Sequence, residues 1–368
     1  LLSFPNEQLK MSFVKSVTTK YNFGAHVSTA GGISKSVLNA NKLGCQSFAM
    51  FLKSPRKWES PPLTDEEIDK FKLNCEKCKY DPLVDILPHG HYFINLCNPD
   101  EEKAQKAYSQ LIDELHRCEQ LGIGHYNLHP GSALKGGSVK LQLKQLAKYL
   151  NKAIGETKFV IIVLENMAGK DNIIGNQLED LRDVIDIIDN KERIGVCVDT
   201  CHTFASGYDI QSSLESFNKF WTQFDEIIGF NYLKSMHIND SKAPRESCQD
   251  LHEKLGQGFI GLEPFRWLAH DQRFEKIPLI LETPHRDDNG YGEEIELLQW
   301  LETIDDPENE ELKFKVEELQ KLGAKTRHEQ QAKYDKKQAQ QGKKRKVVGG
   351  DILSQLSKTT KKKKVKPE

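Results

Sequence analysis

The sequence predicts an α/β protein folded as a (β/α)8 TIM barrel, followed by a basic, disordered C-terminal tail. Eight short apolar runs alternate with helical patterns, as in a parallel barrel whose strands are buried on both faces. Seven of these runs end beside a histidine or a carboxylate, and barrel enzymes place their active sites at the carboxyl ends of the strands. In the C-terminal part of the chain, lysine clusters replace the alternation of apolar runs and helical patterns. We therefore expect an N-terminal extension (1–20), a barrel (21–304) and a charged tail (305–368).

The clearest strand is Ile194–Asp199, in which apolar side chains fill both alternating faces before the chain turns polar. A fully buried parallel strand has this pattern. The eight predicted strands are Tyr21–Ser28, Ser47–Leu52, Leu83–Gly90, His125–Pro130, Phe159–Asn166, Ile194–Asp199, Tyr232–Asp240 and Ile277–Thr283.

Helical segments separate these strands, and one of them opens with the capping sequence Thr64-Asp65-Glu66-Glu67. The predicted helices are Ser34–Leu43, Thr64–Tyr80, Asp100–Leu121, Leu141–Gly155, Leu178–Ile188, Ser213–Ile228 and Glu263–His270.

The net charge of −2 conceals two parts of opposite sign. Residues from Leu312 onward contain 18 Lys+Arg and 6 Asp+Glu, a net charge of +12, so the preceding residues carry −14. No apolar run approaches the roughly 18 residues of a membrane span or forms a signal peptide. We expect a soluble protein without a membrane partner, made for a reducing compartment. Met11 is a plausible start, which would make the first ten residues an upstream extension.

The eight cysteines are spread over predicted strands, helices and their connections. This distribution does not resemble the disulfide framework of a small secreted protein. Cys75 and Cys78 form a single CxxC pair on a charged helix, with no second pair to complete a tetrahedral zinc site. We therefore expect these two cysteines to have no metal-binding role.

Imidazole and carboxylate groups recur at the ends of the predicted strands. These residues are His26, His89, His129, Glu165, Asp199, His237 and Glu282, and His202, Asp250 and His252 lie in nearby loops. Core histidines and helix caps are the structural alternative, but they do not explain such a complete ring. Mixed nitrogen and oxygen ligands suit Zn²⁺ or Mn²⁺. The candidate ligands are too many for one ion, so we expect a cluster of metal ions. Enzymes use clustered metals most often to hydrolyse phosphate esters.

Ten motifs carry a resemblance to a known family from Tyr21 to Leu301. They read GAHVSTAGG, FLKSPRKW, LPHGHYFINL, RCEQLGIG, NLHPGS, LENMAG, GVCVDTCHTFASGYD, MHINDSK, DLHEKLGQGFIG and PLILETP. The sequence resembles the endonuclease IV family of apurinic/apyrimidinic (AP) endonucleases, and most of all fungal members with a basic C-terminal tail. Met167 departs from the family pattern, which more often has Thr there, but this position is not a ligand.

The resemblance implies three zinc ions per chain, with Mn²⁺ as an alternative at one site. By resemblance, the first ion is held by His89, His129 and Glu165, the second by Glu165, Asp199, His237 and Glu282, and the third by His202, Asp250 and His252. Glu165 is the bridging and catalytic residue. His26 lines the pocket without being a primary ligand.

The resemblance also implies base excision repair of double-stranded DNA that carries abasic sites or blocked 3′ ends. The expected reaction cuts 5′ to the abasic site, leaving a 3′-hydroxyl and a 5′-deoxyribose phosphate, and the enzyme also trims 3′ ends. Arg56, Tyr92 and Phe93 match the DNA-binding positions that insert into kinked DNA while the abasic nucleotide is flipped out. We expect the protein to act as a monomer.

The tail contains the clusters Lys343-Lys344-Arg345-Lys346 and Lys361-Lys362-Lys363-Lys364. Such clusters are typical of nuclear import signals and nucleic-acid tethers, so we expect binding to the import machinery and a nuclear location, with a mitochondrial share left open. The segment Leu312–Gln341 is compatible with a frayed helix. Because no predicted strand or ligand lies beyond Glu311, we expect the barrel to fold without the remaining residues.

Two other functions remain open at this point. A sugar isomerase or epimerase of the xylose-isomerase-like barrels would use a core matching Glu165, Asp199, His237 and Glu282, but it would not need the other ligands or a basic tail. A catalytically inactive DNA-binding protein would be expected to lack a ligand, and none is missing from the sequence.

Overall fold

Eight parallel strands form the wall of a barrel. The computed structural model describes residues 19–54, 58–285 and 289–360. The barrel strands are β1 (Asn22–His26), β2 (Ser47–Met50), β3 (Ile86–Pro88), β4 (His125–Leu128), β5 (Ile161–Glu165), β6 (Ile194–Asp199), β7 (Leu233–His237) and β10 (Pro278–Leu281). They pair in the order β3-β2-β1-β10-β7-β6-β5-β4. A parallel bridge between His89 and Asn127 brings β3 beside β4, which confirms the predicted (β/α)8 barrel.

Ten helices accompany these strands in the described residues. They are α1 (Ile33–Lys42), α2 (Asp65–Cys78), α3 (Glu101–Leu121), α4 (Val139–Glu156), α5 (Leu178–Ile187), α6 (Thr200–Ala205), α7 (Leu214–Ile227), α8 (Glu263–Leu268), α9 (Asn289–Leu301) and α10 (Glu310–Thr360). Side chains of Thr64, Asp100, Ser138 and Ser213 accept hydrogen bonds from backbone N–H groups at the starts of α2, α3, α4 and α7. These caps fix where each helix begins after its loop.

Two hydrophobic layers stabilise the barrel. Inside it, Ala49, Leu87, Val163, Cys197 and Ile280 pack together and are fully buried. Side chains pointing outward from the strands pack against the helices in a much larger core. Because these strands are covered on both sides, they read as continuous apolar runs in the sequence.

A short antiparallel pair, β8 (Asp240–Ser241) with β9 (His252–Glu253), follows β7. Neither this pair nor the short helix α6 was expected from the sequence. Both are too short to leave a periodic pattern, because periodicity needs several turns or alternations to be recognised.

The first turns of the C-terminal helix contact the barrel. α10 begins at Glu310, Leu312 is only 1% exposed, and Val316 and Leu319 pack against the barrel core. These apolar residues recur at helical spacing, so they form one stripe on an otherwise charged helix. The overall charge of the segment concealed that stripe.

None of the described helices combines the length and the apolar character that a membrane crossing requires. No disulfide joins any of the eight cysteines, and burial raises the pKa of the Cys75 thiol to about 12.

Candidate metal centre

Glu165 lies at the centre of a cluster of histidines at the carboxyl ends of the barrel strands. It is the last residue of β5 and is fully buried. His89 Nε2 and His129 Nε2 lie 3.3 and 3.2 Å from its Oε2 atom, while His202 Nδ1 and His237 Nδ1 lie 3.2 and 3.1 Å from its Oε1 atom. Since parallel strands all end at the same rim, residues far apart in sequence meet here.

Asp199 and Glu282 extend the cluster on the side of β6 and β10. His237 Nδ1 lies 3.2 Å from Glu282 Oε2 and 4.0 Å from Asp199 Oδ2. His26 Nδ1 lies 3.0 Å from Glu282 Oε1. The structure therefore brings together all seven residues that the sequence placed at strand ends.

A third group of residues covers the mouth of the barrel beside Asp199. His202 Nε2 lies 3.1 Å from Asp250 Oδ1, His252 Nε2 lies 3.2 Å from the same oxygen, and His252 Nε2 lies 3.5 Å from Asp199 Oδ2. Asp199 caps α6 by accepting a hydrogen bond from His202 N at 2.8 Å, which places His202 one turn into that helix. Pairing of β9 with β8 brings His252 to the same place.

Backbone carbonyl groups orient three of these histidine rings. The Nδ1 atoms of His89, His202 and His252 lie 2.7, 2.8 and 3.1 Å from the carbonyl oxygens of Gly90, Asn166 and Glu282. When each Nδ1–H donates to its carbonyl, the lone pair of Nε2 faces the cluster. Metal-binding histidines are commonly held in this way.

Three asparagines that sequence reasoning missed hold Glu165 and Asp199 in place. Asn127 Nδ2 donates to Glu165 Oε2 at 2.6 Å, and Asn239 Nδ2 donates to Asp199 Oδ2 at 2.7 Å. Asn166 Oδ1 accepts from the backbone N–H of Asp199 at 2.7 Å. Each asparagine lies within two residues of a cluster member along the chain, in YNLH, LEN and HIND, and that adjacency was the available signal.

Opposite charges in the cluster outweigh the effect of burial on its pKa values. Burial alone lowers the pKa of a histidine and raises that of a carboxyl group. Nevertheless, the carboxylates of Asp199 and Asp250 hold the pKa of His202 well above its usual value, and they raise the pKa of His252 to about 9. The neighbouring histidines hold the pKa of Glu165 well below its usual value. The site therefore favours ionised carboxylates facing positively charged His202 and His252, and bound divalent cations would supply that positive charge instead.

Unsatisfied ring nitrogens show that the donor set fits divalent cations. The Nε2 atoms of His26, His89, His202, His237 and His252 are buried and make no hydrogen bond of good geometry to the described part of the chain, although those of His89, His202 and His252 lie 3.3, 3.1 and 3.2 Å from carboxylate oxygens. Leaving such atoms unpaired is costly, whereas a metal ion uses their lone pairs.

The donor atoms converge tightly enough to hold a metal. Within each group they lie within 4.8 Å of one another. The groups are His89–Glu165–His237–Glu282, Glu165–Asp199–His202, His202–Asp250–His252 and Asp199–Cys201–His252. Cys201 was not anticipated as a member of this set.

Tyr92 lies at the rim of the cluster and is 66% exposed, although its ring centroid is 5.3 Å from that of His89 and 5.5 Å from that of His129. Phe93 is half-buried, with ring centroids 4.1 Å from Trp58 and 4.9 Å from His91. Arg56 lies outside the described residues. Of the three predicted DNA-binding residues, Tyr92 is therefore the one the structure places openly beside the cluster.

This chain is similar in sequence and fold to known proteins. The family described as a xylose isomerase-like TIM barrel matches residues 37–304. Apurinic-apyrimidinic endonuclease 1 of Saccharomyces cerevisiae is 63% identical over 297 residues, which cover 81% of this chain and 80% of the yeast protein. The chain belongs to the endonuclease IV family of AP endonucleases. It is a DNA-cleaving hydrolase of a metal-dependent family, and the resemblance drawn from its motifs is confirmed.

Solved structures agree with this membership. Endonuclease IV from Thermus thermophilus superposes with a TM-score of 0.67 and 29% identity over 77% of this chain and 100% of that one. A D-tagatose 3-epimerase-like protein superposes with a TM-score of 0.58 over 77% of this chain and 98% of that one, but it is only 18% identical. The similarity to the epimerase reflects the barrel fold alone.

Proposed function

We propose that this endonuclease IV family member is a zinc-dependent repair enzyme that hydrolyses the phosphodiester on the 5′ side of an abasic site. The products are a 3′-hydroxyl and a 5′-deoxyribose phosphate, and the same site trims blocked 3′ ends in base excision repair. The observation that carries this proposal is the set of overlapping donor groups around Glu165. Its support from relatives is the similarity to proteins whose names specify apurinic-apyrimidinic endonuclease activity.

The residues fit three zinc positions. His89, His129 and Glu165 would hold one ion, Glu165, Asp199, His237 and Glu282 a second, and His202, Asp250 and His252 a third, with Mn²⁺ as an alternative at one position. When bound, such ions lower the pKa of water to near neutrality and stabilise charge on a departing oxygen.

Glu165 has the central role because histidines from four different elements contact its two oxygens. Asn127 keeps the Glu165 carboxylate in place, and Asn239 keeps that of Asp199 in place. This rigid arrangement aligns water with the phosphorus atom. The water oxygen gives up a proton and adds to phosphorus, the bond from phosphorus to the 3′ oxygen breaks, and the departing oxygen takes up a proton to become the 3′-hydroxyl.

Tyr92 distinguishes damaged from intact DNA in this proposal. Its exposed ring stands beside His89 and His129, where it can fill the space left when a nucleotide leaves the helix. A missing base reduces the cost of this extrusion, because less stacking and pairing is lost. Phe93, which also contacts His91 and Trp58, and Arg56 are the other two residues proposed to insert into the kinked DNA.

The sugar isomerase alternative accounts for less of the site. It would use Glu165, Asp199, His237 and Glu282, and it would leave the group His202–Asp250–His252 without a function. The basic clusters of the tail support binding to the nuclear import machinery and a nuclear location, and the protein acts as a monomer on double-stranded DNA.

The decisive experiment is incubation with a duplex that carries one abasic site, followed by identification of both termini. We expect a 3′-hydroxyl and a 5′-deoxyribose phosphate, loss of cutting on chelation, and recovery with Zn²⁺. Glu165→Gln, which keeps the side-chain size, should abolish cutting and reduce bound zinc. An unsaturated 3′ aldehyde, or an adduct trapped by borohydride, would instead indicate attack at the sugar through a Schiff base and would refute the proposal.

A further inference from the structure

α10 contacts the loop that carries part of the candidate metal centre. We call residues 250–261 the ligand loop, since it contains Asp250 and His252. Gln320 Nε2 on α10 donates to the carbonyl oxygens of Gly256 and Gly258 at 2.7 and 3.3 Å. Arg327 Nη1 donates to the carbonyl oxygen of Gln257 at 2.5 Å. Three consecutive carbonyl groups of the ligand loop are thus bound by one helix.

Close packing accompanies these hydrogen bonds. A Cβ atom added at Gly323 would lie 1.8 Å from the Gln257 carbonyl oxygen, so only glycine allows the backbone of α10 to come this near. A Cβ atom added at Gly256 would lie 2.8 Å from Leu319 Cδ1, which places the Leu319 side chain over that residue. Leu319, Gly323 and Arg327 are spaced by four residues and therefore share one face of the helix.

The barrel holds the other side of the same loop. Asp240 accepts hydrogen bonds from the backbone N–H groups of Gly258 at 2.8 Å and Ile260 at 2.9 Å. Glu294 on α9 accepts one from Leu255 at 2.8 Å. The N–H groups of the turn are therefore bound by the barrel, whereas α10 binds its carbonyl groups.

We infer that Gln320 and Arg327 are positioning residues that fix Asp250 and His252 against His202 by holding the ligand loop from outside the barrel. This inference rests on the proposed function, in which those three residues hold one metal ion. The Asp250 side chain is 46% exposed, so the loop backbone must supply much of its positional order. The family match ends at residue 304, before α10 begins. Gln320 and Arg327 therefore lie outside the region matched to the family.

The test uses the full chain with the double substitution Gln320→Ala and Arg327→Ala. Lys325→Ala is the matched control, because it removes one positive charge from an exposed position of the same helix. Zinc release is followed during titration with a chelator, and amide hydrogen exchange is followed at residues 254–258. We expect one zinc equivalent to bind about tenfold more weakly in the double variant, as for other residues that orient metal ligands. The remaining zinc should be unaffected, exchange in the loop should be faster, and kcat should fall without a change in KM.

Arg327→Ala alone should weaken zinc binding, and Arg327→Lys should retain most of the affinity that Arg327→Ala loses. The reason is that lysine keeps a donor for the Gln257 carbonyl group. Zinc release and loop exchange that match the wild type in the double variant would overturn the inference. A wild type that binds fewer than three zinc ions would refute the proposed metal count instead. Amide exchange in the ligand loop still tests the positioning role in that case. Exchange that is equally fast in the wild type and the double variant would overturn this role, and faster exchange in the double variant would support it.

Discussion

Glu114→Gln tests whether a buried ionic cluster supports the rim of the active site. Glu114, on α3, is fully buried, with Lys53 Nζ 3.4 Å and His91 Nδ1 2.7 Å from its Oε1 atom. Tyr126 donates its hydroxyl to the other carboxylate oxygen at 2.7 Å. His91 lies between the rings of Phe51 and Phe93, with centroids 5.7 and 4.9 Å away. The cluster therefore connects α3 to the loop after β2, which contains Lys53, and to the loop after β3, which contains His91 and Tyr92.

The substitution keeps the side-chain size and removes the charge. Breaking a buried pair by removing one partner costs about 3–5 kcal/mol. The cost is smaller here, since Lys53 keeps Asp113 at 2.8 Å and Gln110 at 2.7 Å and the new amide still offers one acceptor. We expect the free energy of unfolding to fall by about 2–3 kcal/mol.

Urea unfolding measures this change, with Glu102→Gln as the control on an exposed position of α3. The control should alter the free energy of unfolding by less than about 0.5 kcal/mol. Bound zinc should stay constant, while discrimination between abasic and intact duplex should weaken because the loops around Tyr92 lose their support. A loss of stability below about 1 kcal/mol would show that the cluster does not hold these loops.

Three further predictions concern the metals, the DNA and pH. Asp250→Ala combined with His252→Ala should remove one zinc equivalent, as measured by elemental analysis. Activity should fall by orders of magnitude, since each 1.36 kcal/mol of lost transition-state stabilisation is about tenfold in rate. A wild type with a single metal would contradict the trinuclear hypothesis. Tyr92→Ala should reduce discrimination for abasic duplex at unchanged zinc content, whereas zinc loss would show that Tyr92 supports His89 instead. Burial lowers the pKa of His125 from 6.5 to about 4, so its contribution to stability is complete above pH 6.5 and is lost as pH falls through 4. Relative to His125→Gln, the wild type should lose about 2 kcal/mol of unfolding free energy between pH 7.5 and pH 5, and a constant difference between the two proteins would refute this.

The barrel could be predicted because the same pattern of burial recurs in each of its strands along the chain. Every parallel strand is buried on both faces and ends at the same rim, so each one carries both an apolar run and a polar end residue in the sequence. Asp199 is the last residue of β6 in the structure, as predicted, and Glu165 is the last residue of β5, one residue before the predicted end. Asn127, Asn166 and Asn239 were missed because an asparagine beside a ligand looks the same as one in an ordinary turn.

The surroundings of the third donor group show where sequence reasoning stopped. His202, Asp250 and His252 could be named from motifs, but what holds them depends on contacts between distant segments: Asp240 with Gly258, Glu294 with Leu255, and Gln320 with Gly256. None of these pairs has a local signature.

The independence of the barrel from everything after Glu311 stays a prediction, and the described contacts of α10 bear on it. Removing those residues would expose the surface that Leu312, Val316 and Leu319 cover, and it would free the carbonyl groups of the ligand loop. We therefore expect the functional boundary to lie within α10, after Arg327, because the first turns of that helix contact the barrel although their composition resembles that of the tail.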